Sequence, residues 1–426
     1  MSIDRSQAPP FVLPDEIDLK PPECRLLPGG MRLYYNPSPT IDAVKVEVLF
    51  PVHFQTDQPY NPLVSFFTLH MLPEGTRALP SDQLDDFFDF HGSEVEILSG
   101  FERHGLGLVT TKKHLKNVLP VFRSLFTDAV FPEKHFLKRK SQKKLSLSIQ
   151  QEQTGARANQ LIRAGLFGKE HPFGRHPSEE DVDAVSREQL IAYYQNGFLT
   201  VPQLFVTGDL SEGELLFLEE QFASLPCRKD PPLPPPAFNA DSASRQTEVK
   251  PKAVQSSIRM GKWMIPMAHP DYQTLSFFNT VLGGYFGSRL IRNIREEKGY
   301  TYGINSFLGN VNGGGYWMVS ADVKGGFGDE VIREVYKEIQ RLIADPIPPD
   351  ELEIVKNYLA GTLLSGFSNP FDLMSHFQRV HFEGLDFSVF TQQLAFIKDF
   401  DGDRLREIGS AYFSPSTMQE VIVGQL

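Results

Sequence analysis

The residues of this chain that could do chemistry are few, and the most suggestive lie in SFFTLHMLPEGT, residues 65–76, where one histidine, His70, sits in a run that reads as helix. Residues i, i+3 and i+4 share one helix face, so a pattern H-x-x-E-H aims two imidazoles and a carboxylate at one point, where they can hold a metal and act as a general base. In that frame the five positions are Phe66, Phe67, Thr68, Leu69 and His70. The places of the first ligand and of the base are hydrocarbon. A catalytic zinc needs three protein ligands, so His70 by itself reads as a lone histidine on a packed apolar helix. His91, His104, His114 and His135 form no H-x₃-H or H-x-x-E-H pair and read as surface or loop residues. The two cysteines, Cys24 and Cys227, are far apart and lack C-x-x-C spacing. That excludes a disulfide framework and a cysteine zinc site, and fits a reducing compartment.

The elements that must position these residues belong to a chain of 426 residues, long enough for two domains of about 200 residues each. The formal net charge of −11 argues against nucleic acid, whose phosphates require a basic face. The first residues, MSIDRSQAPPFVLPDEIDLKPPE, show neither the apolar core of a secretory signal nor the arginine-rich pattern of a transit peptide. No run of 18 apolar residues occurs, so no membrane partner is expected. The expectation is a cytoplasmic protein, or a periplasmic one were a signal to have been removed.

The chain reads as written twice. The Pro-rich stretch 227–251 divides it nearly in half, into expected domains 1–226 and 252–426. SFF recurs at Ser65 and Ser276, and AVKVEVLF from Ala43 answers AVQSSIRM from Ala253. The segments from Leu108 and from Met318 each read as strand, long amphipathic helix, then a proline opening another helix. The endings agree as well, with Leu190 to Phe198 and Leu405 to Phe413 each eight apart. Four pairings in one order at a nearly constant offset indicate a duplicated α+β unit. Each unit is expected to be a largely antiparallel, mixed sheet with helices packed on one face.

The opening helix, with its Met71-Leu72 and Gly75-Thr76 ending, resembles the zinc helix of pitrilysin-like (inverzincin) peptidases, whose order is H-x-x-E-H. GGYFGSRLIRNIREEKGYTYGINS, residues 283–306, resembles the C-terminal signature of the same family. The resemblance implies a third metal ligand about 77 residues after the second histidine, which falls on Leu147, with no acid within four residues of it. Phe66, Leu69, His70 and Leu147 are therefore the degenerate metal positions. It also implies an arginine and a tyrosine seven residues apart that reach a zinc site in another domain or subunit, matched here by Arg295 and Tyr302. A guanidinium and a phenol aimed at the oxygen of a tetrahedral intermediate form an oxyanion hole. The plainer alternative is that Arg295 pairs with Glu296, Glu297 or a helix neighbour and that Tyr302 is an ordinary strand aromatic; Tyr300 is a second candidate. Gly283, Gly284 and Gly287 resemble the substrate-contacting glycine loop of the non-catalytic subunit of mitochondrial processing peptidase, or else simply turn the chain between helices.

What the resemblance implies is a non-catalytic subunit of a two-chain zinc endopeptidase, without a cofactor of its own. Zinc is expected in a homologous H-x-x-E-H partner, which this chain would join as a heterodimer to enclose extended peptides. The alternatives are a peptidase-derived scaffold and a peptide-binding subunit that makes no catalytic contribution. No nucleophile–base arrangement in the sequence supports an unrelated enzyme activity.

Overall fold

Strand alternation and helix periodicity resolve into two sheets in a computed structural model that describes residues 14, 17–52, 61–226, 243–311 and 313–425. In the N-terminal half, β1 (Glu23–Leu26), β2 (Arg32–Pro37), β3 (Ala43–Pro51), β4 (Glu94–Ser99), β5 (Arg103–Thr111) and β6 (Gln203–Gly208) form a sheet in the order β1-β2-β6-β3-β5-β4. In the C-terminal half, β7 (Ser244–Val249), β8 (Gln255–Met264), β9 (Thr301–Val311), β10 (Gly314–Lys324) and β11 (Gln419–Gly424) take the order β7-β11-β8-β10-β9. With β1 set aside the two are the same sheet. Each begins with a parallel pair, β2 with β6 and β7 with β11, and continues through three antiparallel pairs.

Part of the stretch read as a linker is built into the second sheet, since β7 lies within 227–251 and pairs along its whole length with β11. Its earlier part, 227–242 with Cys227, lies outside the described residues, as do residues 1–13.

The first half carries helices α1 (Pro62–Met71), α2 (Ser81–Phe90), α3 (Leu115–Thr127), α4 (Glu133–Glu152), α5 (Thr154–Phe167), α6 (Glu179–Ala184), α7 (Arg187–Tyr193) and α8 (Glu212–Ala223). The second carries α9 (Tyr272–Asn279), α10 (Gly328–Ala344), α11 (Pro349–Ser365), α12 (Pro370–Phe382), α13 (Val389–Asp399) and α14 (Arg404–Tyr412). No described helix is long and apolar enough to cross a membrane. On its inner face the first sheet sets Val44, Val46, Val48 and Phe50 of β3 against Phe67 of α1 and Phe122 of α3. The second sets Ile258 and Met260 of β8 and Trp317 of β10 against Phe278 of α9 and Val335 of α10.

Each half's own helices thus cover one face, and the opposite face is closed by the other half. Tyr34, Leu49 and Phe205 on the outer face of the first sheet are buried under Met374, Phe377 and Val380 of α12, with α11 and α13 beside it. Reciprocally, Val421 and Val423 on the outer face of the second sheet are buried under Ala158, Ile162 and Leu166 of α5. Polar bonds register the crossing. Arg259 Nε donates to Asn159 Oδ1 (2.6 Å) and the Trp263 indole donates to the Leu166 carbonyl (2.6 Å). On the other side Gln378 Nε2 donates to Glu47 Oε2 (2.6 Å) and His381 Nε2 to Gln203 Oε1 (2.7 Å). Burying a large apolar side chain contributes about 1.5–3 kcal/mol, so the twelve buried apolar residues of one seam and the eight of the other outweigh the connection through the polypeptide. A protease site inserted between residues 226 and 243, once cut, is therefore expected to leave two fragments that co-elute in gel filtration. Separate elution in native buffer would show that the seams hold the halves less firmly than the packing implies.

Candidate functional site

The helix that opened the sequence reading forms where its caps dictate. The Asn61 side chain accepts from the Leu63 N–H (3.0 Å) and Pro62 occupies the first helical position, where its missing N–H costs nothing. α1 runs to Met71, and a tight turn then delivers the chain to Gly75 at φ +141, a conformation strained for any side chain. Leu63, Phe67, Leu69 and Met71 are buried.

Phe66 and Leu69 from α1 and Leu147 from α4 line one cavity of about 270 Å³. The positions of first ligand, base and third ligand therefore meet in space, but none of the three side chains has a lone pair to offer. His70 stands beside them with its ring against that of Phe66 (4.0 Å between centroids, tilted by 31°) and its Nδ1–H donating to the Phe66 carbonyl (2.8 Å). Burial holds the imidazole below its ordinary pKa. Among the described residues no group of three or more His, Cys, Asp or Glu could hold a metal. Zinc does not fit this site.

The same cavity brings together Ser65 and His104. His104 was expected at the surface or in a loop; it is instead 3 % exposed, in β5, and lines the cavity. The period of two that places Leu106 and Leu108 inward also places His104 inward, and that signal was legible. His135 is likewise not a loop residue: it lies on α4 and bonds through Nδ1 to Glu74. The Tyr193 hydroxyl donates to Ser65 Oγ (3.4 Å), and Ser65 Oγ lies 3.2 Å from His104 Nδ1. With the Ser65 hydroxyl donating to Nδ1, the imidazole proton rests on Nε2, which has no partner among the described residues. Burial pushes the His104 pKa down to about 3. A base that weak cannot take a serine proton near neutrality, so Ser65 and His104 are not a nucleophile pair.

Arg295 and Tyr302 do not line this cavity. Arg295 lies in a wide helical turn, Ile291–Glu297, with its guanidinium 4.7 Å above the ring of Phe286, itself 67 % exposed. The pairing with Glu296 or Glu297 considered from the sequence is not made. Tyr302 is 89 % exposed on β9, an edge strand of the second sheet. Tyr300 precedes the strand and is occupied, with its ring 4.6 Å from that of Phe327 and its N–H bonded to the Ile294 carbonyl (3.0 Å). Of the glycines, Gly283 is buried so close to β9 that a Cβ would stand 2.6 Å from Ser306 Oγ. Gly287 lies under the Tyr285 ring, and Gly284 and Gly287 are half-buried.

Comparison with known proteins agrees with this geometry. A family model described as the peptidase M16 inactive domain matches residues 184–359. An uncharacterised zinc protease of Bacillus subtilis, YmxG, is 23 % identical over 357 residues, covering 82 % of this chain and 85 % of its own. A probable inactive metalloprotease of the same organism, YmfF, is 24 % identical over 280 residues, covering 56 % of this chain and 62 % of its own. The crystal structure of a peptidase M16 inactive domain from Pseudomonas fluorescens has the same fold, with a TM-score of 0.84 at 20 % identity over 95 % of this chain and 98 % of that one. The resemblance to pitrilysin-like peptidases read from the motifs holds.

His104 also makes a prediction about stability. Its folded pKa is depressed to about 3 from an ordinary 6.5, so protonation favours the unfolded chain. The contribution is complete above pH 6.5 and is lost as pH falls toward 3. Urea unfolding at pH 7 and pH 4 is expected to show about 2–3 kcal/mol less acid loss in His104→Gln than in the wild type. Equal acid sensitivity would mean that His104 is hydrated or charged in the folded state.

Proposed function

We propose that this chain is the non-catalytic subunit of a two-chain, pitrilysin-like zinc endopeptidase. It lends Arg295 and Tyr302 to the zinc centre of a homologous H-x-x-E-H partner and helps to enclose an extended peptide. The observation that carries the reading is the contrast between the two halves of the catalytic apparatus. The metal positions Phe66, Leu69 and Leu147 are hydrocarbon, whereas Arg295 and Tyr302 are chemically able and turned away from that cavity, toward the surface.

The pair suits an oxyanion. Arg295 has no carboxylate partner among the described residues, so its donors are not committed elsewhere, and the Phe286 face orients its plane. Tyr302 stands on an edge strand, where an extended peptide can add as a further strand and bring a carbonyl past the phenol. Gly284 and Gly287 are the two glycines of the run exposed enough to contact such a substrate, while Gly283 serves close packing. Zinc, held by the partner, would supply the nucleophilic water and the Lewis acid; this chain would supply donors to the developing negative charge.

Mixing the purified chain with an H-x-x-E-H homologue from the same cell is expected to produce peptidase activity that neither has alone, across an interface of more than about 1,000 Å². In that complex Tyr302→Phe removes one O–H with almost no change of shape. It is expected to lower kcat by roughly 10²–10³ with little change in KM, because the bond strengthens only as charge develops. Tyr300→Phe, at a packing tyrosine, is the control and is expected to leave kcat nearly unchanged. Equal and negligible effects of the two changes would leave a scaffold or peptide-binding subunit in place of a catalytic contributor.

A further inference from the structure

The cavity where the metal positions meet is a cationic one. None of the described residues that line it is an aspartate or a glutamate, while Lys143, Arg163 and Arg175 all are lining residues. Arg175 is neutralised by Asp181 at 2.7 Å. The other two cations have no carboxylate partner among the described residues. Lys143 stands 4.2 Å over the ring of Phe66. Arg163 stands 4.4 Å over the ring of Phe101 and gives Nε and Nη2 to the Phe173 carbonyl (2.9 and 2.6 Å). Burial lowers the pKa of both, since the surroundings solvate the charged form less well than water does.

Drawing a cation partly out of water without a counter-ion is costly, and both of these side chains are half-buried. The third unsatisfied group there is the Nε2–H of His104, a donor whose side chain is 97 % buried, from its 3 % relative exposure. Ammonium, guanidinium and imidazole N–H are all donors, and the remaining walls, Phe66, Phe101 and Phe173, are aromatic. Arg163 and Phe101 also line a second cavity, of about 430 Å³, between α5 and the outer face of the second sheet. The two spaces share Arg163 and Phe101 as lining, and the first by itself has room for an anionic group with a small apolar body attached.

We propose that the collapsed metal site is a carboxylate pocket, which takes the free C-terminal carboxylate of a peptide with its last side chain among the aromatic rings. A carboxylate accepts from several donors at once, and charge-assisted bonds to ammonium and guanidinium are the strong ones. The volume suits a single residue. The inference rests on the reading of the chain as a peptide-handling subunit, and it is independent of Arg295 and Tyr302.

The test uses the isolated full-length chain and calorimetric titration with Gly-Gly-Phe, with Gly-Gly-Phe amide and with inorganic phosphate. The free acid is expected to bind at least about tenfold more tightly than the amide. Lys143→Gln, at a side chain that hydrogen-bonds to no other described residue, is expected to bring acid and amide within about twofold. Thermal melts report whether that variant is folded, and the comparison of acid with amide on the wild type stands without it. Equal affinity for acid and amide, no binding of either at millimolar concentration, or binding of phosphate alone would each overturn the proposal. Loss of activity on Tyr302→Phe in the two-chain complex bears only on the oxyanion pair, so the two readings fail separately.

Discussion

The constraint on which this structure rests is that each sheet has two apolar faces and only one half-set of helices to cover them. Tyr34, Leu49 and Phe205 on one sheet and Val421 and Val423 on the other would be open to water without helices from the opposite half. The halves are therefore joined by hydrophobic seams in both directions, and the chain is one body built from two copies of a unit. The geometry of the site follows. α5, which closes the second sheet, is separated from α4 by Gln153 alone, so the seam fixes the position of the helix that carries Lys143 and Leu147.

The cavity at the junction shows what happens to a metal site when its donors are replaced. Phenylalanine and leucine at Phe66, Leu69 and Leu147 remove every lone pair and replace it with surface that prefers to exclude water. They do not remove the cations around it. Lys143 and Arg163 line a space with no carboxylate among its described residues, stabilised in part by the aromatic faces beneath them. Burial similarly leaves His104 neutral with a donor to spare.

Tyr300 and Tyr302 illustrate the difference between a tyrosine that packs and one that stays exposed. Tyr300 and Tyr302 are two residues apart, yet one is engaged with Phe327 and a strand-entry hydrogen bond while the other projects from an edge strand. An exposed phenol and a guanidinium without a carboxylate contribute little to folding. Their chemistry is available to whatever approaches that face.

The sequence alone determined the duplication, because strand and helix periods repeat at a nearly constant offset whatever the packing: β3 with β8, β5 with β10, and the closing helix–strand pairs α7–β6 and α14–β11. It also determined that Phe66, Leu69 and Leu147 offer no metal donor, since that is a matter of residue type. The inward side of His104 was available in the alternation of β5 and passed unnoticed because a lone histidine carries no motif. Three things were decided only in the tertiary structure. β7 emerged from a stretch too polar to announce a strand, its place set by pairing with β11. The crossing of α5 and α12 onto each other's sheets is invisible to local pattern, since an apolar stripe states that it must be covered and not by what. The convergence of Lys143, Arg163 and His104 depends on α4, α5 and β5 meeting at the seam, a charge relation between residues as much as 59 positions apart that no spacing rule encodes.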